Sequence, residues 1–409
     1  MSDIKRRRTI YGSASVTSPG SSLDFTVLQL LPALGDGGVE RSTVQMAQHL
    51  RRLGITSWVA SAPGPLGDAL HEARTGHIRM NVGAKNPLRI WRHARRLARL
   101  IDRHKIDLVH ARSRAPAWVG YLACRMARRR PAFITTFHGV YGHKSALKRR
   151  YNAIMIRGAL VIANSRFIAA HIREIYQVDA ARIVVAPRGF DTEVFDPARL
   201  NAASRRDIRQ EFGAQGVPLF ALVARLSGWK GHRVLISALA LLADLPWVAV
   251  FAGGADDSET MRRLQSAVDA AGLHDRVHLA GSRADIAELL AACDLAFSMA
   301  TRPEAFGRAT IEAAAMQTPV IASAHGGALE TVLDGETGWL VAPGDADAVA
   351  AAVRTALSGA HDLNAMGKAG RRFVLQNFTA QQCVQKEFGA YQALLKRAPD
   401  NAPDNAPRR

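Results

Sequence analysis

Cysteine is scarce in this chain of 409 residues: Cys124, Cys293 and Cys383 stand far apart, with no paired spacing. That scatter argues against a disulfide framework and against a zinc cluster, and it fits a reducing compartment. Long apolar runs are lacking too. No stretch of about 18 uninterrupted apolar residues occurs, and even Leu235 to Gly254 is broken by Asp244 and Pro246. No membrane-spanning helix is expected. Aromatic residues make up only 6% of the chain and form no stacking motif among the basic residues, so nucleic acid is not an expected partner. The cluster Lys5-Arg-Arg-Arg8 is not followed by the apolar stretch that a secretory signal needs. Residues 1–22 read instead as a flexible basic tail.

Acidic residues are outnumbered, with 35 Asp and Glu against 54 Lys and Arg and a formal net charge of +19. Much of the excess lies in the first half. Arg92, Arg95, Arg96, Arg99 and Arg103 follow one side of a predicted helix whose other side carries Ile90, Ala94, Leu97 and Ile101. A solvated face is one reading of that stripe. The other is attraction to anionic lipid, to which each well-placed Lys or Arg contributes about 1 kcal/mol. The expectation is a cytoplasmic protein and, on the lipid reading of that stripe, one peripheral on the inner face of the cytoplasmic membrane.

The length and a 48% hydrophobic content suit about two domains with real cores. From Asp24 onward, strand-like and helix-period segments alternate. The first series of strands is Thr26–Leu31, Ser57–Ala62, Ile78–Val82, Asp107–His110, Phe133–Phe137, Leu160–Ala163 and Ile183–Ala186. A second begins after Pro218 with Leu219–Ala224, Val248–Ala252, Val277–Ala280, Leu295–Ser298, Val320–Ser323 and Trp339–Val341. Such alternation predicts an α/β protein of two Rossmann-like, doubly wound parallel-sheet domains. The expected boundaries place an N-terminal domain at 23–187 and a C-terminal domain with its leading linker at 188–376. A C-terminal helix follows at 377–396. The repeat Pro399-Asp-Asn-Ala402, Pro403-Asp-Asn-Ala406 lies in a tail, 397–409, that cannot build a core.

Chemistry concentrates between Leu295 and Ala342. A buried-strand run, Leu295 to Ala300, is broken by Thr301-Arg-Pro-Glu304, and helix formers resume at Phe306-Gly307-Arg-Ala-Thr-Ile-Glu312. In open parallel sheets ligands bind beyond the carboxyl ends of strands, where a helix N-terminus suits a phosphate and Gly307 lets backbone approach closely. Glu304 can accept hydrogen bonds from sugar hydroxyls, and Glu312 can accept the vicinal pair of a ribose. Earlier, Ala224-Arg225-Leu-Ser-Gly228-Trp-Lys230-Gly231 sets two cations on a glycine-flanked turn after a strand, suited to a diphosphate leaving group. Gly37 and Gly38 lie between the first strand and a helix. His138 ends another strand, Thr135-Thr136-Phe137-His138. Adjacent Asp256 and Asp257 lack a third ligand, so no metal is expected.

Glu304-Ala-Phe-Gly-Arg-Ala-Thr-Ile-Glu312, followed by Pro319-Val-Ile-Ala-Ser323 and Gly335-Glu-Thr-Gly-Trp-Leu-Val-Ala-Pro343, resembles the donor-site signature of retaining glycosyltransferase family 4. The resemblance covers about 350 residues, tails excluded. It implies the GT-B architecture, in which the two domains face a central cleft and the last helix returns to the first domain. It also implies a hexose moved from a nucleotide-sugar donor to a glycan or glycolipid acceptor, in cell-surface polysaccharide or lipopolysaccharide synthesis. The implied catalytic set is His138, Glu304, Arg225 and Lys230. The implied donor contacts are Gly37, Gly38, Arg225, Lys230, Arg283, Glu304, Phe306, Gly307 and Glu312, with Arg283 flanking the base and no cofactor needed. Pro187-Arg188-Gly189-Phe190-Asp191 and Asn164-Ser165 match family positions as turn and linker. The alternative activity on the same fold is a sugar-nucleotide epimerase, against which the Glu304 to Glu312 signature argues.

Overall fold

A computed structural model describes residues 25–396 apart from Asp36, Lys144 and Asp256. The tails expected at 1–22 and 397–409 lie outside the described residues. The chain forms two compact units, one of residues 189–380 and the other of 25–188 joined by 381–396.

The second of these holds seven parallel strands: β1 (Thr26–Ala33), β2 (Thr56–Ala62), β3 (Gly76–Arg79), β4 (Leu108–Ala111), β5 (Ala132–Phe137), β6 (Leu160–Ala163) and β7 (Ile183–Val185). Their order is β3-β2-β1-β4-β5-β6-β7, so the winding reverses between β1 and β4, where Val27 pairs with Leu108. The apolar run predicted at Ile78–Val82 forms a strand two residues earlier. Gly76 pairs with Trp58, and the buried Met80 and Val82 instead close a three-residue turn, Val82 N–H to Met80 O at 2.8 Å. Phe388 and Tyr391 of the helix Ala380–Lys396 join Val27, Met46, Leu50 and Ile134 in one core. That last helix is therefore a piece of this unit's interior.

The helix Pro87–Arg103 shows how the sequence builds its crossovers. Asn86 caps it by accepting from the Leu88 and Arg89 N–H groups, Pro87 supplies the preset first residue, and Ile90, Ala94, Leu97, Ala98 and Ile101 are buried. Arg92, Arg95, Arg96, Arg99 and Arg103 are exposed on the other side. Trp91 and Leu88 are also open to solvent, 48% and 71% exposed, and the Arg95 guanidinium lies 4.7 Å from the Trp91 ring centroid.

The other unit holds β8 (Leu219–Val223), β9 (Val248–Ala252), β10 (Val277–Gly281), β11 (Leu295–Ser298), β12 (Val320–Ser323) and β13 (Gly338–Val341), all parallel, in the order β10-β9-β8-β11-β12-β13. Its core includes Phe220, Leu235, Trp247, Phe251, Phe297 and Ile321. Chain entry and exit lie side by side here: Phe190 N–H donates to Phe378 O at 3.0 Å and Ala380 N–H to Phe190 O at 2.9 Å. Among the described residues no helix is long and apolar enough to cross a membrane. The three cysteines are buried free thiols.

Candidate active site

The loops carrying the expected phosphate and sugar ligands follow β8 and β11, adjacent strands at which the order of the second sheet reverses. A crevice beyond such a switch point is the usual ligand position in an open α/β sheet. The loop after β8 ends at Gly231, which has φ +78° and precedes the helix His232–Ala240. A Cβ there would sit 1.7 Å from the Met299 carbonyl oxygen. Only glycine lets this loop lie so close on the end of β11, and it starts the helix two residues before the apolar run at Val234. Thr301 N–H then ties the two loops by donating to Trp229 O at 2.8 Å.

On that base Lys230 Nζ reaches Glu304 Oε1 at 2.8 Å, with the side chains 17% and 19% exposed. The ammonium is also 4.6 Å from the Trp229 ring centroid, a cation–π contact. Arg225 is exposed on the same loop. The Glu304 backbone is gripped from the next turn, where Gly327 N–H donates to Glu304 O at 2.9 Å. A Cβ on Gly327 would fall 2.3 Å from Phe306 Cα, which accounts for the glycine in His325-Gly326-Gly327. His325 Nε2–H donates to Ala300 O at 2.7 Å.

Gly307, at φ +84°, opens the helix Arg308–Ala315. The Phe306 ring is buried and packs edge-on against Phe378 at 5.4 Å, which leaves its backbone as the part available to a ligand. Glu312 is buried and accepts from Arg308 Nη2 at 2.6 Å. Sequence reading passed over Arg308, although its four-residue spacing from Glu312 was the available signal. Arg283 is held by Glu211 and Asp285 through Nε, Nη1 and Nη2, with Phe212 5.2 Å from its guanidinium. Any approach to a base is therefore by an anchored guanidinium.

In the unit with β1, Gly37 is the exposed N-cap and Gly38 the first residue of the helix Gly38–Arg52. Ser165 caps the helix Arg166–Tyr176 by accepting from Ile168 N–H at 3.0 Å. His138 follows β5, half-buried, and receives a hydrogen bond from Arg188 Nη2 at Nδ1. Burial, then Arg188 and Arg112, push the His138 pKa well below the usual imidazole range.

Nearby lies a buried polar cluster that sequence reading did not single out. Arg112 is wholly buried and donates to Gln29 Oε1 from Nε at 3.0 Å and from Nη2 at 2.6 Å, and to both oxygens of Glu387. His110 completes it, with Nδ1 2.7 Å from the Tyr391 hydroxyl and Nε2 2.6 Å from Thr136 Oγ1. Among the described residues no group of three His, Cys, Asp or Glu is placed to hold a metal.

Two doubly wound parallel sheets, one with a paired cation and carboxylate beyond its switch point, are the frame of a GT-B glycosyltransferase. The chain belongs to the group 1, family 4 glycosyltransferases: residues 36–194 match the model described as Glycosyltransferase Family 4, and residues 204–373 match Glycosyl transferases group 1. It is 33% identical over 305 residues to the GDP-mannose-dependent alpha-(1-6)-phosphatidylinositol monomannoside mannosyltransferase of Mycolicibacterium smegmatis, covering 70% of this chain and 76% of that one. A glycosyltransferase structure from Rickettsia africae superposes with a TM-score of 0.85 at 36% identity, over 92% of this chain and all of that one. Anabaena HepE, solved with UDP and glucose, gives 0.78 at 26% identity, over 90% of this chain and all of HepE.

Proposed function

We propose that this glycosyltransferase moves a hexose from a nucleotide-sugar donor to a glycan or glycolipid acceptor with retention of anomeric configuration, in building a cell-surface polysaccharide or lipopolysaccharide. The observation that carries the reading is the Lys230 to Glu304 contact at the β8/β11 switch point. It brings a phosphate-binding charge and a sugar-binding carboxylate within one hydrogen bond of each other, as the anomeric carbon and its diphosphate require. The solved HepE complexes with UDP, and the named mannosyl transfer of the M. smegmatis relative to a phosphatidylinositol mannoside, support the donor and acceptor classes.

In this reading the C1–O bond to the donor phosphate breaks while a bond from the acceptor oxygen to C1 forms on the same face. The hydroxyl proton passes to the departing phosphate oxygen. Lys230 and Arg225 stabilise the charge gathering there, so the step needs no metal. Glu304 and His138 bind the transferred sugar, and Glu312 binds the ribose. Gly37, Gly38 and the helix end at Gly307 approach the diphosphate, and Arg283 flanks the base. The exposed Arg92 to Arg103 face, with Trp91 and Leu88 at its start, supports a peripheral place on the cytoplasmic side of a membrane.

Product NMR with an α-linked donor tests the reading, and an α-linked product is expected. A β-linked product would overturn retention. The same donor incubated without acceptor separates the epimerase alternative, which would return a changed sugar still joined to its nucleotide.

A further inference from the structure

Arg188 belongs to a segment that reads in sequence as turn and linker, yet it is 8% exposed. Its Nη2 donates to His138 Nδ1, with Nε2 of the same ring farther away at 3.3 Å. Its Nη1 lies 4.0 Å from Glu387 Oε2. Glu387 in turn receives Arg112 Nη1 at 3.3 Å and the Tyr391 hydroxyl at 3.3 Å. A guanidinium has five N–H donors and no lone pair. The ring nitrogen it addresses must therefore be unprotonated, which assigns the His138 proton to Nε2 from the hydrogen-bond network.

Charge balance points the same way. Glu387 faces two guanidiniums, Arg112 and Arg188, and the positive charge of both acts on the imidazole. Further titratable groups around it are His110, held well below the usual imidazole range by burial and then Arg112, Tyr141, whose hydroxyl bonds the His138 backbone, and the buried thiol of Cys383, which faces Arg188 and Glu387. Nothing in this set favours an imidazolium.

We propose that Arg188 is a positioning residue for His138. It holds the ring as the neutral tautomer with the proton on Nε2, and Glu387 of the C-terminal helix holds Arg188 where it can do so. That this Nε2–H meets the transferred sugar rests on the function proposed above; the tautomer and its control by Arg188 do not.

The test is imidazole nitrogen NMR on the full chain, with the His138 signal assigned through His138→Gln. In the unaltered protein the ring should stay neutral, with its proton on Nε2, well below pH 6.5. In Arg188→Met it should titrate nearer the ordinary histidine range and lose its single tautomer. Glu387→Gln should loosen the tautomer while keeping the ring neutral. Arg188→Lys, which keeps a cation with less disturbance of the fold, should hold the low titration point. Turnover in Arg188→Met should fall on the order of 10- to 100-fold, as misplacement of a reacting group does, with the acid limb of the pH profile moved upward. A proton on Nδ1, an imidazolium at pH 6.5, or the same titration in Arg188→Met as in the unaltered protein would overturn the proposal. Tautomer loss in Arg188→Met beside normal turnover in His138→Gln would uphold the positioning and remove the sugar role instead.

Discussion

Lys230 Nζ stands 2.8 Å from Glu304 Oε1 although 74 residues separate them in the chain. An ammonium carries three donors, so one can hold the carboxylate while the others meet phosphate oxygens. Lys230 is thereby held in place by Glu304 before any ligand arrives.

Replacing Lys230 by Ala should lower turnover on the order of 100-fold, the scale for losing one electrostatic donor to developing charge. Folding should survive, because the pair is partly solvated. Circular dichroism and a steady-state assay check both, and near-normal turnover in a folded variant would remove Lys230 from the clamp.

The two carboxylates should separate by ligand. Glu312→Ala should weaken free nucleotide and sugar nucleotide alike, since ribose is common to both, and it leaves Arg308 without its 2.6 Å partner. Glu304→Ala should weaken mainly the sugar nucleotide. Titration calorimetry with both ligands decides, and equal losses in the Glu304 variant would count against its sugar role.

Glu387→Leu alone should destabilise the unit of residues 25–188 and 381–396 by about 3–5 kcal/mol, because it leaves Arg112 as an uncompensated buried charge; Arg112→Met should cost less, because Arg188 Nη1 still lies 4.0 Å from Glu387. The double variant should recover much of the loss. Denaturant melts of the four proteins measure the coupling, and simple additivity would show that the pair acts independently.

Acid should weaken the fold from about pH 6.5 downward. Burial and Arg112 hold His110 well below its ordinary value, burial and Arg188 do the same for His138, and burial with Lys230 takes His232 down to about 4. The unfolded chain protonates these rings below 6.5 while the native one does not. Stability is therefore full above that pH and falls below it, by up to about 1.4 kcal/mol per pH unit for each such group. Melting temperatures between pH 8 and pH 4.5 give the profile, and a flat one would mean the rings protonate in place.

Vesicle co-sedimentation tests the cationic helix face. Binding should require anionic lipid, fall with added salt because exposed charges are screened over about 8 Å at physiological ionic strength, and weaken when Arg95, Arg96 and Arg99 become Gln. Binding to neutral vesicles alone would exclude this face.

The sheets were legible because buried parallel strands leave short apolar runs that helices separate; β3 slipped because Gly76 and His77 carry no such signal. Glu304, Glu312, Arg225 and Lys230 stood out through a local signature at strand ends. Arg112 and Glu387 did not. They lie 275 residues apart, and nothing in composition distinguishes a buried ion pair from the many solvated charges of a basic chain. Arg188 was hidden differently: its neighbours, Pro187 and Gly189, announce a turn, and a turn residue is expected to face water.

The seam between Glu387 and Arg112 also sets an order of assembly. When residue 188 has left the ribosome, the sheet β1 to β7 is complete in sequence, but the carboxylate that neutralises Arg112 lies about 200 residues downstream. At roughly 5–20 residues per second that is a wait of about 10–40 s. The contiguous unit Gly189–Ala380 needs no such late arrival. Although synthesised second, it can close first, and the nascent amino-terminal sheet is the part a chaperone would have longest to guard.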